Sequence, residues 1–298
     1  MARPCKVGVQ LPEVERFVPW PDYLDLARRA EAAGYDSVWV GDHLIYDLPD
    51  GSTRGPYEAW TTLAAIAAVT ERVEIGPLVA STSFHAPAML AKLAATVDAI
   101  SQGRLILGLG AGWNRREFDA FGFPYDRRVS RFAEALAVIA PLLREAPATF
   151  HGEFYDVDDC VLDPGPVREG GPTIMLGSNS PRMLSIGLPV VDAWNVWWSI
   201  YANSVERFVE IKAEVDAAMP EGRYVEATAA VLVTLPGGRG RLMGEGYDAR
   251  VTTVTPHDLG EHLRGLAGAG VTHVQLVLDP ITAESIDTVG RVLADLDR

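Results

Sequence analysis

Gly103-Arg-Leu-Ile-Leu-Gly-Leu-Gly-Ala-Gly-Trp-Asn114 is the stretch whose reading decides the fold. Leu105 to Leu109 is a short apolar run, the length of a fully buried strand. Gly108, Gly110 and Gly112 fall at alternate positions through and beyond it. Glycine takes positive φ freely and lets another group approach closely. A buried strand opening into a glycine hinge, then Trp113 and Asn114, reads as a wall meeting a ligand, since a tryptophan in a loop normally has a partner. A packed strand with a tight exit turn would give the same pattern. The spacing does not make a dinucleotide fingerprint, which needs Gly-x-Gly-x-x-Gly opening a helix. The third position is Trp113 counted from Gly108 and Arg115 counted from Gly110.

Outward from this stretch, strand and helix signals alternate. Lys6–Leu11, Tyr35–Val40, Val73–Val79, Leu105–Leu109, Thr173–Leu176, Val190–Trp197, Val225–Leu235 and Val271–Leu278 read as eight strands. Gly76 and Pro77 interrupt the third, where a bulge is expected. Helices are expected from Pro21 to a terminating Gly34, over 58–70, 87–101 and 130–144, briefly after Pro181, and over 203–218, 259–267 and 283–297. Residues 147–171 are dense in Pro, Gly and Asp, and His151 to Asp156 resembles a small hairpin. A glycine-rich loop begins at Pro236. The expected architecture is a single α/β domain over 1–298, a (β/α)8 TIM barrel with insertions near 147–171 and 236–255. An open doubly wound sheet is the alternative.

Composition narrows the function. The chain has 298 residues, 48% hydrophobic and 22% charged, which is ordinary for a globular protein with a sizeable core. A net charge of −14 argues against a nucleic-acid or anionic membrane surface. Two cysteines, Cys5 and Cys160, make no disulfide framework, so a reducing cytoplasm is expected. No signal-peptide pattern and no apolar run of membrane-spanning length is evident. No metal is expected, because His-x-His and His-Glu-x-x-His spacings are missing. No Gly-x-Ser-x-Gly elbow marks a serine nucleophile.

In a barrel the site lies where the strands end. Asp42-His43, Ala80 to His85, Gly110 to Asn114, Gly177 to Asn179 and Trp194 to Trp198 would gather there, polar and aromatic as for stacking a flat ring. His43 is the side chain suited to proton exchange near neutral pH. Asp42 is its neighbour in sequence and need not pair with it. Gly177-Ser178-Asn179, before a Pro-started helix, could seat a phosphate or simply cap the helix.

Several pieces in fixed order resemble the bacterial luciferase-like family of flavin and deazaflavin enzymes. They are Gly34-Tyr-Asp-Ser-Val-Trp-Val-Gly-Asp-His43, Glu58-Ala-Trp60 with Thr70-Glu-Arg72, and Ser101-Gln-Gly-Arg-Leu-Ile-Leu-Gly-Leu-Gly-Ala-Gly-Trp-Asn114. Phe121-Gly122 with Arg131-Phe132, and Gly177 through Arg182 followed by Asp192-Ala-Trp-Asn195, complete the set. The resemblance covers about residues 5–200 and implies a (β/α)8 barrel, usually dimeric, binding coenzyme F420 or FMN at its C-terminal mouth. It implies that His43 is catalytic. Asp42, Leu78, Val79, Ser81, Gly110, Ala111, Gly112, Asn114, Gly177, Ser178 and Asn179 would hold the cofactor, with a non-proline cis peptide at 78–79. Trp60, Trp113 and Trp197 would line the substrate pocket. Asp42-His43 and Asp192-Ala-Trp-Asn195 place the chain nearer the deazaflavin branch. There the sugar-phosphate dehydrogenases carry a catalytic glutamate after the glycine hinge, where this chain has Trp113. An F420-dependent oxidoreductase with an apolar or aromatic small-molecule substrate is therefore expected, with an FMN monooxygenase as the alternative and a non-catalytic cofactor-binding barrel behind both. Arg115, Arg116, Arg127, Arg128 and Arg131 would meet the anionic tail or the phosphate of the cofactor, or else form a solvated helix face.

Overall fold

The computed structural model describes residues 3–145, 147–239 and 251–298. The apolar runs become strands of one sheet, and the amphipathic segments between them become helices on its outside. In chain order the elements are β1 (Lys6–Gln10), α1 (Trp20–Ala32), β2 (Ser37–Val40), β3 (Tyr46–Asp47), β4 (Thr53–Arg54), α2 (Ala59–Val69), β5 (Glu74–Pro77), β6 (Ala80–Ser81) and, past a 3₁₀ turn at Thr82–Phe84, α3 (Pro87–Ile100). Then come β7 (Ile106–Gly110), α4 (Arg115–Phe121), α5 (Arg128–Arg144), β8 (Ala148–His151), β9 (Asp156–Cys160), β10 (Thr173–Gly177), α6 (Pro181–Gly187) and β11 (Ala193–Val196). The chain continues with α7 (Val205–Ala217), β12 (Glu226–Thr234), α8 (Leu259–Gly268), β13 (Val271–Asp279) and α9 (Ala283–Leu296).

The main sheet runs β5-β2-β1-β13-β12-β11-β10-β7-β6, and its neighbours pair in parallel. Its two ends meet. Ile75 on β5 bridges Leu105 in parallel, and the Ile75 N–H donates to the Arg104 carbonyl at 3.0 Å. That closure rules out the open sheet. The third strand is not continuous over 73–79 as the sequence suggested. It stops at Pro77 and resumes at Ala80, and the Leu78–Val79 peptide between is cis. Proline lacks the N–H that a ladder needs, so the break falls at Gly76-Pro77 for a stated reason. Counting β5 and β6 as one broken strand, the barrel has the eight strands the sequence suggested.

Two apolar layers hold it. Trp39, Leu78, Ile106, Met175 and Ala193 pack inside the barrel. A larger core fills the space between strands and helices. Asn195 Nδ2 donates to Thr228 Oγ1 and to Gln275 Oε1, so the Asn195 amide nitrogen is satisfied inside the barrel, while Gln275 Nε2 is buried without a hydrogen-bond partner. The sequence missed the small β3–β4 ladder and helix α4, both in the loops over the strand ends. The hairpin near 151–156 is present as antiparallel β8 and β9, and the Glu134 carboxylate on α5 accepts three backbone N–H groups from its turn. Of the second expected insertion, near 236–255, residues 240–250 lie outside the described residues. Among the described residues no helix is long and apolar enough to cross a membrane.

The glycines of β7 have a definite use. A Cβ on Gly108 would press on the Pro77 carbonyl and lie 2.7 Å from Val79 Cγ1. One on Gly110 would lie 3.0 Å from Val79 Cγ2, and one on Gly177 2.5 Å from the same atom. These glycines clear space for the Val79 isopropyl group. Gly108→Ala is therefore expected to destabilise the fold by about 1–3 kcal/mol through overpacking against backbone. Gly268→Ala, where nothing lies within 4 Å, is the control and should not. Urea unfolding of both variants checks this, and equal effects would count against the packing argument.

Candidate functional site

At the C-terminal ends of the strands lies a cavity of about 590 Å³. Its floor is Leu78 and Val79, its flanks the glycine-rich ends of β7 and β10, and its rim the loops after β2 and β11. Of the expected cofactor residues, Asp42, Leu78, Val79, Ser81, Gly110, Ala111, Gly112, Gly177 and Ser178 all line it. Asn114 and Asn179 do not. Asn114 is spent as the N-cap of α4, accepting from the Arg116 N–H and donating to the Ile45 carbonyl. Trp113 and Trp197 line the cavity. Trp60 is a correction, because it is 2% exposed in the first turn of α2, edge-on to the His85 ring and outside the lining.

His43 and Asp42 turn to different partners. Asp42 is buried and accepts the Ser81 N–H at 2.8 Å, with His85 Nε2 3.6 Å away. It ties the end of β2 to the resumed third strand. The Nδ1 of His43 lies 3.1 Å from both carboxylate oxygens of Glu117. Glu117 is 1% exposed and also accepts the Leu44 N–H at 2.6 Å. A buried carboxylate held this way fixes Nδ1 as the ring donor and leaves Nε2 for the cavity. Burial alone pulls the His43 pKa down. The Glu117 hydrogen bond and the charges of Glu13, Glu117 and Asp42 outweigh it, and the net shift is upward from 6.5.

Glu117 is the residue that sequence reasoning missed. It stands three positions after Asn114, the spacing of a helix capping box. In that motif the acid folds back on the cap. Here it turns instead to a histidine 74 residues away in sequence. Tyr46 and Glu13 also reach the cavity unannounced. His43, Tyr46 and Trp113 form an aromatic cluster, with centroids 4.7 Å apart for His43–Tyr46 and 5.7 Å for His43–Trp113. Trp113 is 52% exposed, an apolar face open to whatever enters.

The glycine hinge makes room for side chains of this chain at its Cβ positions. Val79 takes the space beside Gly110 and Gly177, and Ser81 Oγ lies 2.5 Å from where a Gly112 Cβ would stand. Ser81 Oγ is itself buried without a hydrogen-bond partner. The arginine cluster also divides. Arg115 pairs with Asp119, Arg116 with Asp47, Arg127 with Glu153 and Arg131 with Asp126. Only Arg128 of the five lines the cavity. Among the described residues no group of three or more His, Cys, Asp or Glu is placed to hold a metal ion.

The model of the luciferase-like monooxygenase family matches residues 6–237. An F420-dependent glucose-6-phosphate dehydrogenase of Amycolatopsis mediterranei is 34% identical over 180 residues, 57% of this chain and 53% of that one. A phthiodiolone/phenolphthiodiolone dimycocerosates ketoreductase of Mycobacterium bovis is 31% identical over 231 residues, 71% of this chain and 60% of that one. The chain thus spans a little over half the length of these relatives. Among solved structures, an F420-dependent secondary alcohol dehydrogenase with an F420-acetone adduct superposes with a TM-score of 0.76, at 20% identity and 100% coverage of both chains. That likeness is one of fold.

Proposed function

This chain belongs to the luciferase-like monooxygenase family, and on that premise we propose that it is an F420-dependent oxidoreductase moving a hydride between the deazaflavin and a small apolar or aromatic organic substrate. The observation that carries the reading is the His43–Glu117 pair set into a glycine-flanked cavity of about 590 Å³. Relatives named for F420 support the choice of cofactor.

The residues present suit such a group. Val79 and the Gly110–Gly112 strand end would back a flat ring, and Ser81 Oγ, buried and without a partner, would meet its polar edge. When bound, the deazaflavin supplies the hydride donor or acceptor. The chain supplies the proton. His43 Nε2 takes it from an alcohol being oxidised or gives it to a carbonyl being reduced. Glu117 holds the imidazole in the required tautomer. Trp113 and Tyr46 shield the reacting atoms from water and offer an apolar wall to the substrate. Trp113, in place of a glutamate, turns the site away from sugar phosphates.

The reading extends to a homodimer in the cytoplasm and to one domain over 1–298 with insertions near 147–171 and 236–255. The two free thiols, Cys5 and Cys160, suit a reducing compartment. Titrating the apoprotein with F420 and with FMN tests the cofactor. Fluorescence should report tight binding of F420 and weak binding of FMN. Tight FMN with no F420 binding, and oxygen consumption with reduced FMN, would establish the FMN monooxygenase instead.

A further inference from the structure

We propose that Arg128 is the anion anchor of this cavity, its guanidinium taking the phosphate that follows the ribityl chain of the bound cofactor. The proposal rests on the cofactor reading above and assigns one residue of this chain within it.

Among the described residues, Arg128 is the one Arg or Lys that lines the cavity, against three carboxylates, Glu13, Asp42 and Glu117. Its Nη1 is buried with no hydrogen-bond partner. Such a group costs free energy unless something arrives to accept from it. Its neighbours on the same helix end have been answered. Arg127 pairs with Glu153, and Arg131 with Asp126. No carboxylate pairs with Arg128 among the described residues. It also stands in the first turn of the 17-residue α5, a turn that holds no acidic side chain. The positive end of a helix dipole disfavours a cation there, and an anion brought to the guanidinium would relieve that.

The guanidinium is held ready. Its Cζ lies 3.7 Å from the Tyr125 ring centroid and 5.9 Å from that of Phe118, and Tyr125 is fixed by donating its hydroxyl to the Trp113 carbonyl. A stacked, planar fork is the geometry that receives a phosphate with two parallel hydrogen bonds. The carboxylates of Glu13, Asp42 and Glu117 repel an anion from their part of the lining. Arg128 therefore orients an asymmetric ligand as well as binding it, with the uncharged reacting ring left to His43.

The test compares three probes by fluorescence titration: F420, its riboflavin-type precursor without phosphate, and the 5′-monophosphate of that precursor. Wild type, Arg128→Gln and Arg128→Lys are measured at low and high salt. Arg128→Gln should weaken F420 and the monophosphate alike by about tenfold or more. It should leave the neutral precursor within about twofold, flatten the salt dependence, and be partly rescued in Arg128→Lys. Unchanged binding of the neutral precursor shows that the variant folds. Equal weakening of all three probes would mean that Arg128 acts through packing on Tyr125, and no weakening of any would remove it from the site. Either overturns the proposal, as does a loss confined to F420, which would place a tail carboxylate at Arg128. If wild type binds no deazaflavin but binds FMN, the cofactor reading fails, and FMN against riboflavin then decides the role of Arg128 in the same way.

Discussion

Replacing His43 by Asn lowers the hydride-transfer rate by about 10²–10⁴-fold, the usual span of a lost general acid or base, and leaves cofactor affinity close to wild type. His43 lines the cavity, is paired through Nδ1, and has Nε2 left for substrate. Asparagine can occupy the space but cannot carry a proton at neutral pH. Stopped-flow turnover with F420 and binding titration of the same variant separate the two effects. Unchanged turnover would remove His43 from the chemistry. Glu117→Gln adds a second readout. The carboxylate raises the His43 pKa, so its neutralisation should lower it. Carbonyl reduction needs the imidazolium, so its rate falls as pH rises through that pKa. Alcohol oxidation needs the neutral ring, so its rate rises there. In both directions the inflexion moves to lower pH in Glu117→Gln. An inflexion that stays in place would show that Glu117 only packs.

How much of this was readable beforehand follows from what each signal encodes. The strand Leu105–Leu109 was legible because a buried parallel strand needs nothing but apolar residues, and β7 runs one residue later, Ile106–Gly110. Its glycines were legible as close-approach positions, but not the visitor. Val79 fills the Cβ space beside Gly108, Gly110 and Gly177. That contact depends on where the chain turns after Pro77, which no local pattern states. Glu117 was hidden because its spacing from Asn114 satisfies a capping motif, and its true partner becomes a neighbour only when the loop after β2 folds over the end of β7. The five arginines were indistinguishable as letters. Four are answered by Asp119, Asp47, Glu153 and Asp126, and only the fold shows which one is left. Arg104, inside the opening stretch, donates to the Ala67, Thr70, Val73 and Ser101 carbonyls at the far end of the barrel. The stretch is thus a structural staple at one end and a site wall at the other.

A second large effect sits in the barrel and concerns stability. His273 on β13 is 5% exposed, with Nε2 2.7 Å from Ser37 Oγ, which also accepts from Trp39 Nε1. Burial pushes its pKa down to about 3, helped by the charge of Lys6, its register partner on β1. The imidazole is therefore neutral in the fold across the ordinary range. The unfolded chain takes up its proton near pH 6.5. Between about pH 6.5 and pH 3 the unfolded state binds one proton more than the native state, so stability falls as pH falls. Each unit costs about 1.4 kcal/mol, or about 3 kcal/mol by pH 4. His43 has the opposite sign, since its raised pKa favours the folded state as pH falls. The two are separated by difference. His273→Gln keeps a side-chain amide for the Ser37 hydroxyl and never charges, so it is expected to lose stability at pH 7 and to hold what remains as the pH drops. Urea unfolding of wild type and variant from pH 7 to pH 4 should give curves that converge by about 3 kcal/mol. Parallel curves would mean that the native barrel accommodates the imidazolium, and that burial of His273 does not set the acid limit of the fold.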